Sequence, residues 1–259
     1  MDLTPLGGAA ALLAAAKAVE PYLLKILGAP LEQIGGILAS PMEENKKRRA
    51  ERLVRIATEA EAQVKATGGE PIQIPDYIVI PLLEKATLVD DDQLQKMWAS
   101  LLANASHPER ASSVSQAFPT MLAGLSPREA KFLEVFFDAS VYSIFVKIRP
   151  IAPSAIASHS RRSHEKLVNV VGNSSFRWRS NDEKAATFEN LINLGIMRRD
   201  HEIPPEDFPK LAAYLLTEAG IKTTLRIEGN QVPVAEDFYS ITIIGAAFVI
   251  ACRPPEKRP

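Results

Sequence analysis

Between Asp76 and Asn104 two helical patterns meet across three consecutive aspartates, and a chain that carries such a stretch has few folds open to it. Ile80, Leu83 and Leu88 read as the apolar face of a first helix. Asp90, Asp91 and Asp92 cap and charge the start of a second, in which Leu94, Met97, Trp98, Leu101 and Leu102 recur at helical spacing. The expectation is a helical hairpin built to be buried, with acid at its corner. Three aspartates also invite a divalent-metal reading. Consecutive residues at a helix start point in different directions, however, and complementing the helix dipole already accounts for acids there.

The flanks continue the helical pattern. Leu12, Ala16, Val19, Leu23, Ile26 and Leu27 fall at steps of three and four, giving a helix with one apolar stripe that Gly28 and Pro30 end. That stripe needs a covering surface, either the rest of the protein or a membrane interface, which the Ala- and Gly-rich residues 7 to 39 also suit. From Pro41 to Thr67 a charged helix carries a thin apolar line of Leu53, Ile56, Ala60 and Val64 and stops at Gly68-Gly69. Pro71 and Pro75 mark a short linker into the hairpin, and His107-Pro108 closes it. A helix is expected over Val114 to Leu125. Another starts at Ser126-Pro127-Arg128-Glu129 and is made apolar by Phe132, Leu133, Phe136 and Phe137. Val141 to Ile148 fits either a continuation of that helix or a short strand.

The last third changes character. Lys184 to Leu194 reads as a helix ended by Gly195, Ile196 to Asp200 as extended, and Phe238 to Ile243 as a β-branched run entering Gly245 to Cys252. Between them come a helical stretch, Glu206 to Thr217, and a short strand, Lys222 to Ile227. This order matches the back end of a winged helix-turn-helix, with Tyr239-Ser240-Ile241-Thr242 returning from the hairpin. The fold class expected is therefore mainly α, a helical bundle followed by a winged-helix-like α+β carboxyl-terminal domain. Its parts are Ala-rich amphipathic helices over 1–40, a helical core over 41–125, and the winged-helix-like domain with an insertion over 126–259.

Composition narrows the functional classes. Of 259 residues 46% are hydrophobic and 24% charged, enough to bury a core, and a formal charge of -1 gives no global pull toward nucleic acid or anionic membrane. Cys252, the only cysteine, excludes an internal disulfide and any cysteine-based zinc site, and its place near a helix end suits a small buried side chain. Met-Asp-Leu-Thr has acid where a signal peptide carries positive charge, and the apolar run Leu3 to Ala16 is too short to span a bilayer, so a cytoplasmic location is expected. The histidines, His107, His159, His164 and His201, show no i, i+4 pair on a clear helix, and no phosphate loop or nucleophile elbow is present. Neither a metal, a cofactor nor a catalytic constellation is expected, and enzyme action ranks last.

Any contact with a polyanion must come from two local basic segments. In the first, Lys46, Lys47, Arg48, Arg49, Arg52 and Arg55 are opposed within the segment only by Glu51. Glu43, Glu44, Glu59 and Glu61 nearby offer intrahelical pairing, which would make the run a solvated face. In the second, Arg161, Arg162, Lys166, Arg177 and Arg179 meet only Glu165, and Phe176-Arg177-Trp178-Arg179 interleaves rings with guanidinium groups, as base stacking and phosphate pairing require. The alternative there is that Phe176 and Trp178 anchor a core while the arginines face solvent. These residues are the candidates for nucleic-acid or anion binding.

The central block resembles the bacterial abortive infection alpha (Abi-alpha) family, a domain of unknown function. The matching residues are Ile78-Val79-Ile80-Pro81-Leu82-Leu83-Glu84, Asp90-Asp91-Asp92-Gln93-Leu94, Met97-Trp98-Ala99-Ser100-Leu101-Leu102-Ala103-Asn104 and Leu125-Ser126-Pro127-Arg128-Glu129-Ala130. The closing Thr242 to Cys252 fits as well, with a threonine and a glycine before an apolar helix. The resemblance covers residues ~45 to 252 and implies a mostly helical bacterial protein associated with phage defence. It carries over no catalytic residue. The expected action is therefore non-enzymatic, through a protein partner or self-association, with nucleic-acid binding and membrane contact through the first helices as alternatives.

Overall fold

A computed structural model describes residues 8–28, 43–148, 176, 178–198 and 240–255. Among these are eight α-helices, one 3-10 turn and one two-stranded ribbon: α1 Gly8–Leu27, α2 Glu43–Ala66, α3 Asp76–Ala86, α4 Asp92–Ser106, α5 Phe118–Ala123, α6 Pro127–Ile148, α7 Asn181–Asn193, β1 Met197–Arg198, β2 Ser240–Ile241 and α8 Ile243–Ala251. The chain divides into two compact units. One comprises Met1–Pro127 with Ala251–Pro259, the other Arg128–Ile250.

The first unit is organised around α4. Twelve of its fifteen residues are buried, so it is an interior helix with neighbours on nearly every side rather than an amphipathic surface helix. Small residues make this possible: Ala99, Ser100, Ala103, Ala105 and Ser106 let adjacent backbones approach, while Met97, Trp98, Leu101 and Leu102 fill the gaps. The Trp98 indole is wholly buried and its Nε1–H meets no acceptor among the described residues, so the ring serves as an apolar anchor. Asp91 is the residue that caps α4, its carboxylate accepting from the backbone N–H of Gln93 at 3.0 Å and Leu94 at 2.9 Å.

Helix α2 lies parallel to α4. Four side-chain contacts fix the register, Arg52 to Asp90, Arg55 to Asp92, Arg55 to Gln95 and Thr67 to His107, with sequence separations of 38, 37, 40 and 40 residues. A near-constant offset along two helices is what a parallel pair produces. Leu53, Ile56, Ala60 and Val64 are all buried, as the thin apolar line predicts. From Val19 onward the α1 stripe is covered within the same unit: Val19, Tyr22, Leu23, Ile26 and Leu27 are buried and α1 packs on α2. Gly28 at φ 64 and Gly68 at φ 77 end α1 and α2 in the left-handed conformation glycine adopts without strain. The linker between α2 and α3 is tied at two points, Ile74 N–H to the Ile26 carbonyl and Ile72 N–H to the Ser106 carbonyl, both at 2.8 Å.

Two sequence expectations need correction. The buried face of α3 is Ile78, Val79, Leu82, Leu83 and Ala86, whereas Ile80 is 40% and Leu88 64% exposed. A continuous apolar run fits more than one helical face, and packing selects among them. The helix expected over Val114 to Leu125 is confined to Phe118–Ala123. Ser115 intervenes, its hydroxyl accepting from Ala117 N–H and its carbonyl from Phe118 N–H, a local turn that competes with helix.

In the second unit α6 runs through Ile148, so Val141 to Ile148 continues the helix. Phe132 lies within 5.5 Å, centroid to centroid, of the rings of Phe136, Phe176, Trp178 and Phe188, which makes it the hub of an aromatic cluster. Helix α7 is capped by Ser180 and ends through Gly195 at φ 72 into β1, which pairs antiparallel with β2 as Met197 to Ile241 and Arg198 to Ser240. Thr242 joins the ribbon to α8. Its hydroxyl donates to the Gly195 carbonyl at 2.7 Å and accepts from Gly245 N–H at 2.9 Å. At Gly245 a Cβ would strike the Ile196 carbonyl, so this close approach admits only glycine. The extended stretch therefore stops at Ile241, earlier than the β-branched run to Ile243 suggests. The segments Glu206 to Thr217 and Lys222 to Ile227 lie outside the described residues.

Candidate functional site

The two sequence features that seemed separate, the basic start of α2 and the acidic corner before α4, face each other. Because α2 and α4 are parallel, the first turns of α4 lie beside Arg52 and Arg55. Arg52 binds Asp90 Oδ1 at 2.7 Å and donates to the Thr87 carbonyl at 3.1 Å. Arg49 donates to Thr87 Oγ1 at 3.2 Å. Arg55 donates from Nη1 to Asp92 Oδ1 and Gln95 Oε1, each at 3.1 Å. Gln95 in turn donates to the Val89 carbonyl, so the corner is braced from both helices. The acids have divided roles, Asp91 capping the helix while Asp90 and Asp92 offset the arginines that would otherwise crowd the positive end of α4.

The first basic segment is thus partly committed to the fold. Arg48 pairs with Glu44 at 3.1 Å along α2, and Lys46 and Lys47 immediately before it are exposed. Arg48, Glu51, Arg52, Arg55, Asp90 and Gln95 line an open polar groove of about 240 Å³. A crevice of about 20 Å³ lies further along the same seam, between Glu59, Lys96 and Ala99, with room for about one water. Pairing between elements was hidden in the sequence, where the obvious partners for the arginines were the glutamates of their own helix.

Of the second basic segment, Arg161, Arg162, Lys166 and Arg177 lie outside the described residues. Trp178 is half-buried against Phe132, Phe176 and Phe188. Arg179 is exposed, and its backbone N–H donates to Glu183 Oε2 at 2.5 Å. The Glu183 carboxylate also accepts from the Arg128 guanidinium, which lies 4.8 Å over the Phe176 ring. These contacts, the Arg128 bond foremost, hold the Glu183 carboxyl below its ordinary range.

Three further polar joints were not foreseen. Asn104 Nδ2 donates to the Ser100, Ala251 and Arg253 carbonyls at 2.9, 2.9 and 2.8 Å, tying residues 251–253 to α4. Tyr22 OH meets Ser106 Oγ at 2.9 Å, and burial pushes the phenol well above its ordinary range. His107 accepts at Nδ1 from Glu109 N–H, and its Nε2 forms a hydrogen bond with Thr67 Oγ1 at 3.0 Å. Among the described residues no group of three His, Cys, Asp or Glu side chains could hold a metal ion, and no helix is long and apolar enough to cross a membrane.

A mainly helical protein with a parallel two-helix seam, an acid-braced arginine groove and an asparagine clamp is the class these observations define. The family model of abortive infection alpha matches residues 42–252, and the chain belongs to that family. No curated protein and no solved structure matches it. Membership suggests a role in abortive infection, a defence against phage.

Proposed function

We propose that this chain acts in phage defence by binding a protein partner rather than by catalysis, and does so in the cytoplasm. One observation carries the reading: an apolar stripe on the outside of α3. Tyr77 is 63% exposed, Ile80 40% and Leu88, in the turn after the helix, 64%. Positions 77, 80, 84 and 88 fall on one helical face, so Tyr77, Ile80 and Leu88 share a line about 16 Å long at the helical rise of about 1.5 Å per residue, with Glu84 between Ile80 and Leu88. Large apolar side chains left exposed along one helical line suit an interaction surface. Asp76 beside this line and Glu84 within it are acids that disfavour an anionic membrane as occupant. The stripe of α1, the other candidate for lipid, is covered inside its own unit from Val19 onward.

Tyr77→Ser with Leu88→Ser is expected to abolish protection in a phage plating assay while leaving the melting temperature within a few degrees of wild type. Unchanged plating efficiency with the double variant would reject the proposal. We also read the second unit as winged-helix-like and as an interaction module. The order α7, β1, β2, α8 with its antiparallel ladder supports this. Nucleic-acid binding by the unit draws less support, because Trp178 is engaged with three rings; a salt-sensitive gel shift weakened by Arg177→Ala with Arg179→Ala would favour it.

A further inference from the structure

We propose that the groove between α2 and α4 binds a compact polyphosphate chain, either free or as the phosphate tail of a nucleotide. Guanidinium groups bind phosphate oxygens through paired N–H donors, and the groove holds donors the fold does not use. Arg55 engages its protein partners through Nη1 alone, so Nε and Nη2 meet no acceptor among the described residues. Arg48 uses only Nη2, toward the exposed Glu44. Arg52 is held by Asp90 and the Thr87 carbonyl and fixes the charge between them.

Spacing sets the size of the ligand. Arg48 and Arg55 are seven residues apart on one face of α2, an axial separation of about 10.5 Å. A single phosphate does not reach both without drawing the two side chains together, whereas a chain of two or three phosphates bridges them. The 240 Å³ groove accommodates such a chain.

Charge sets the class. Three arginines and two acids, Glu51 and Asp90, line the groove, leaving a small positive excess. Glu44, Asp90 and Asp92 each have more than two thirds of their side chain in solvent around its rim. They repel an extended polyanion that must continue past the groove, so a nucleic-acid backbone fits less well than a short chain that ends within it.

Titration calorimetry of the full chain with sodium tripolyphosphate, ATP and a 20-nucleotide single-stranded DNA tests this. Tripolyphosphate and ATP are expected to bind at low salt, more tightly than the DNA. Arg48→Gln with Arg55→Gln should weaken tripolyphosphate binding at least tenfold. Arg48→Gln alone, at an exposed position, should weaken it severalfold without altering the melt. Asp90→Asn should tighten binding severalfold, a change of sign that loss of folding does not produce. Absence of tripolyphosphate binding, no loss with Arg48→Gln, weaker binding in Asp90→Asn, or DNA bound as tightly as tripolyphosphate would each overturn it. The outcome is independent of the phage plating result for the α3 strip.

Discussion

Asn104 has two amide hydrogens and faces three carbonyls, two of them about 150 residues away in sequence. Alanine there leaves the Ala251 and Arg253 carbonyls without their donor in a site 1% exposed. A lost buried hydrogen bond with unsatisfied partners costs about 1–3 kcal/mol. Asn104→Ala should therefore lower the unfolding free energy of the first unit, read from urea melts, by that amount, and Asn104→Asp by more, since a carboxylate would confront the same carbonyls. Equal midpoints for wild type and alanine would contradict the clamp. In the second unit Glu183 links stability to pH. Its folded carboxyl titrates below the ordinary value of 4.5, so the Arg128 pair contributes stability above that value and loses it as pH falls through the lower folded one. Urea unfolding at pH 7 and pH 3 should show a larger acid-induced loss for wild type than for Arg128→Gln. Identical losses would remove the pair from the account.

At the scale of elements, the three aspartates at the hairpin corner separate into a cap and two counter-charges. Asp91→Ala removes the acceptor for two orphan N–H groups of α4 and should cost about 0.5–2 kcal/mol. Asp90→Asn, whose carboxylate is mostly in solvent, should cost well under about 1 kcal/mol despite its shorter contact to Arg52. Thermal melts of the two variants side by side check the ranking, and a larger loss at position 90 would reverse the assignment. The helical pattern of Leu94 to Leu102 made α4 legible in the sequence, but its near-complete burial was not, because Ala, Ser and Asn at the remaining positions look like a polar face until neighbours cover them. The face of α3 escaped for the opposite reason: Ile78 to Leu83 is apolar on nearly every side, leaving periodicity nothing to resolve.

At the scale of the molecule, the family match begins at residue 42, yet α1 lies in the core of the first unit. Val19, Tyr22, Leu23, Ile26 and Leu27 are buried, each contributing about 1.5–3 kcal/mol by leaving water, a sum comparable with the whole stability of an ordinary domain. Removing residues 1–28 also strips Ile74 N–H of the Ile26 carbonyl and Ser106 of Tyr22. The shortened chain is expected to lose the near-ultraviolet dichroism of the buried Trp98, and a melt matching the full chain would refute the structural role of α1. The sequence by itself determined the mainly helical class, the hairpin, the glycine stops at 28, 68 and 195, and the resemblance to abortive infection alpha. Those rest on local propensity and periodicity, which neighbouring residues carry. Only the tertiary structure decided that the arginines of α2 face the aspartates of α4, that Asn104 holds residues 251–253, and that Tyr77, Ile80 and Leu88 stay in solvent. Each depends on which helix lies beside which, and that relation is set by packing between residues far apart in the chain.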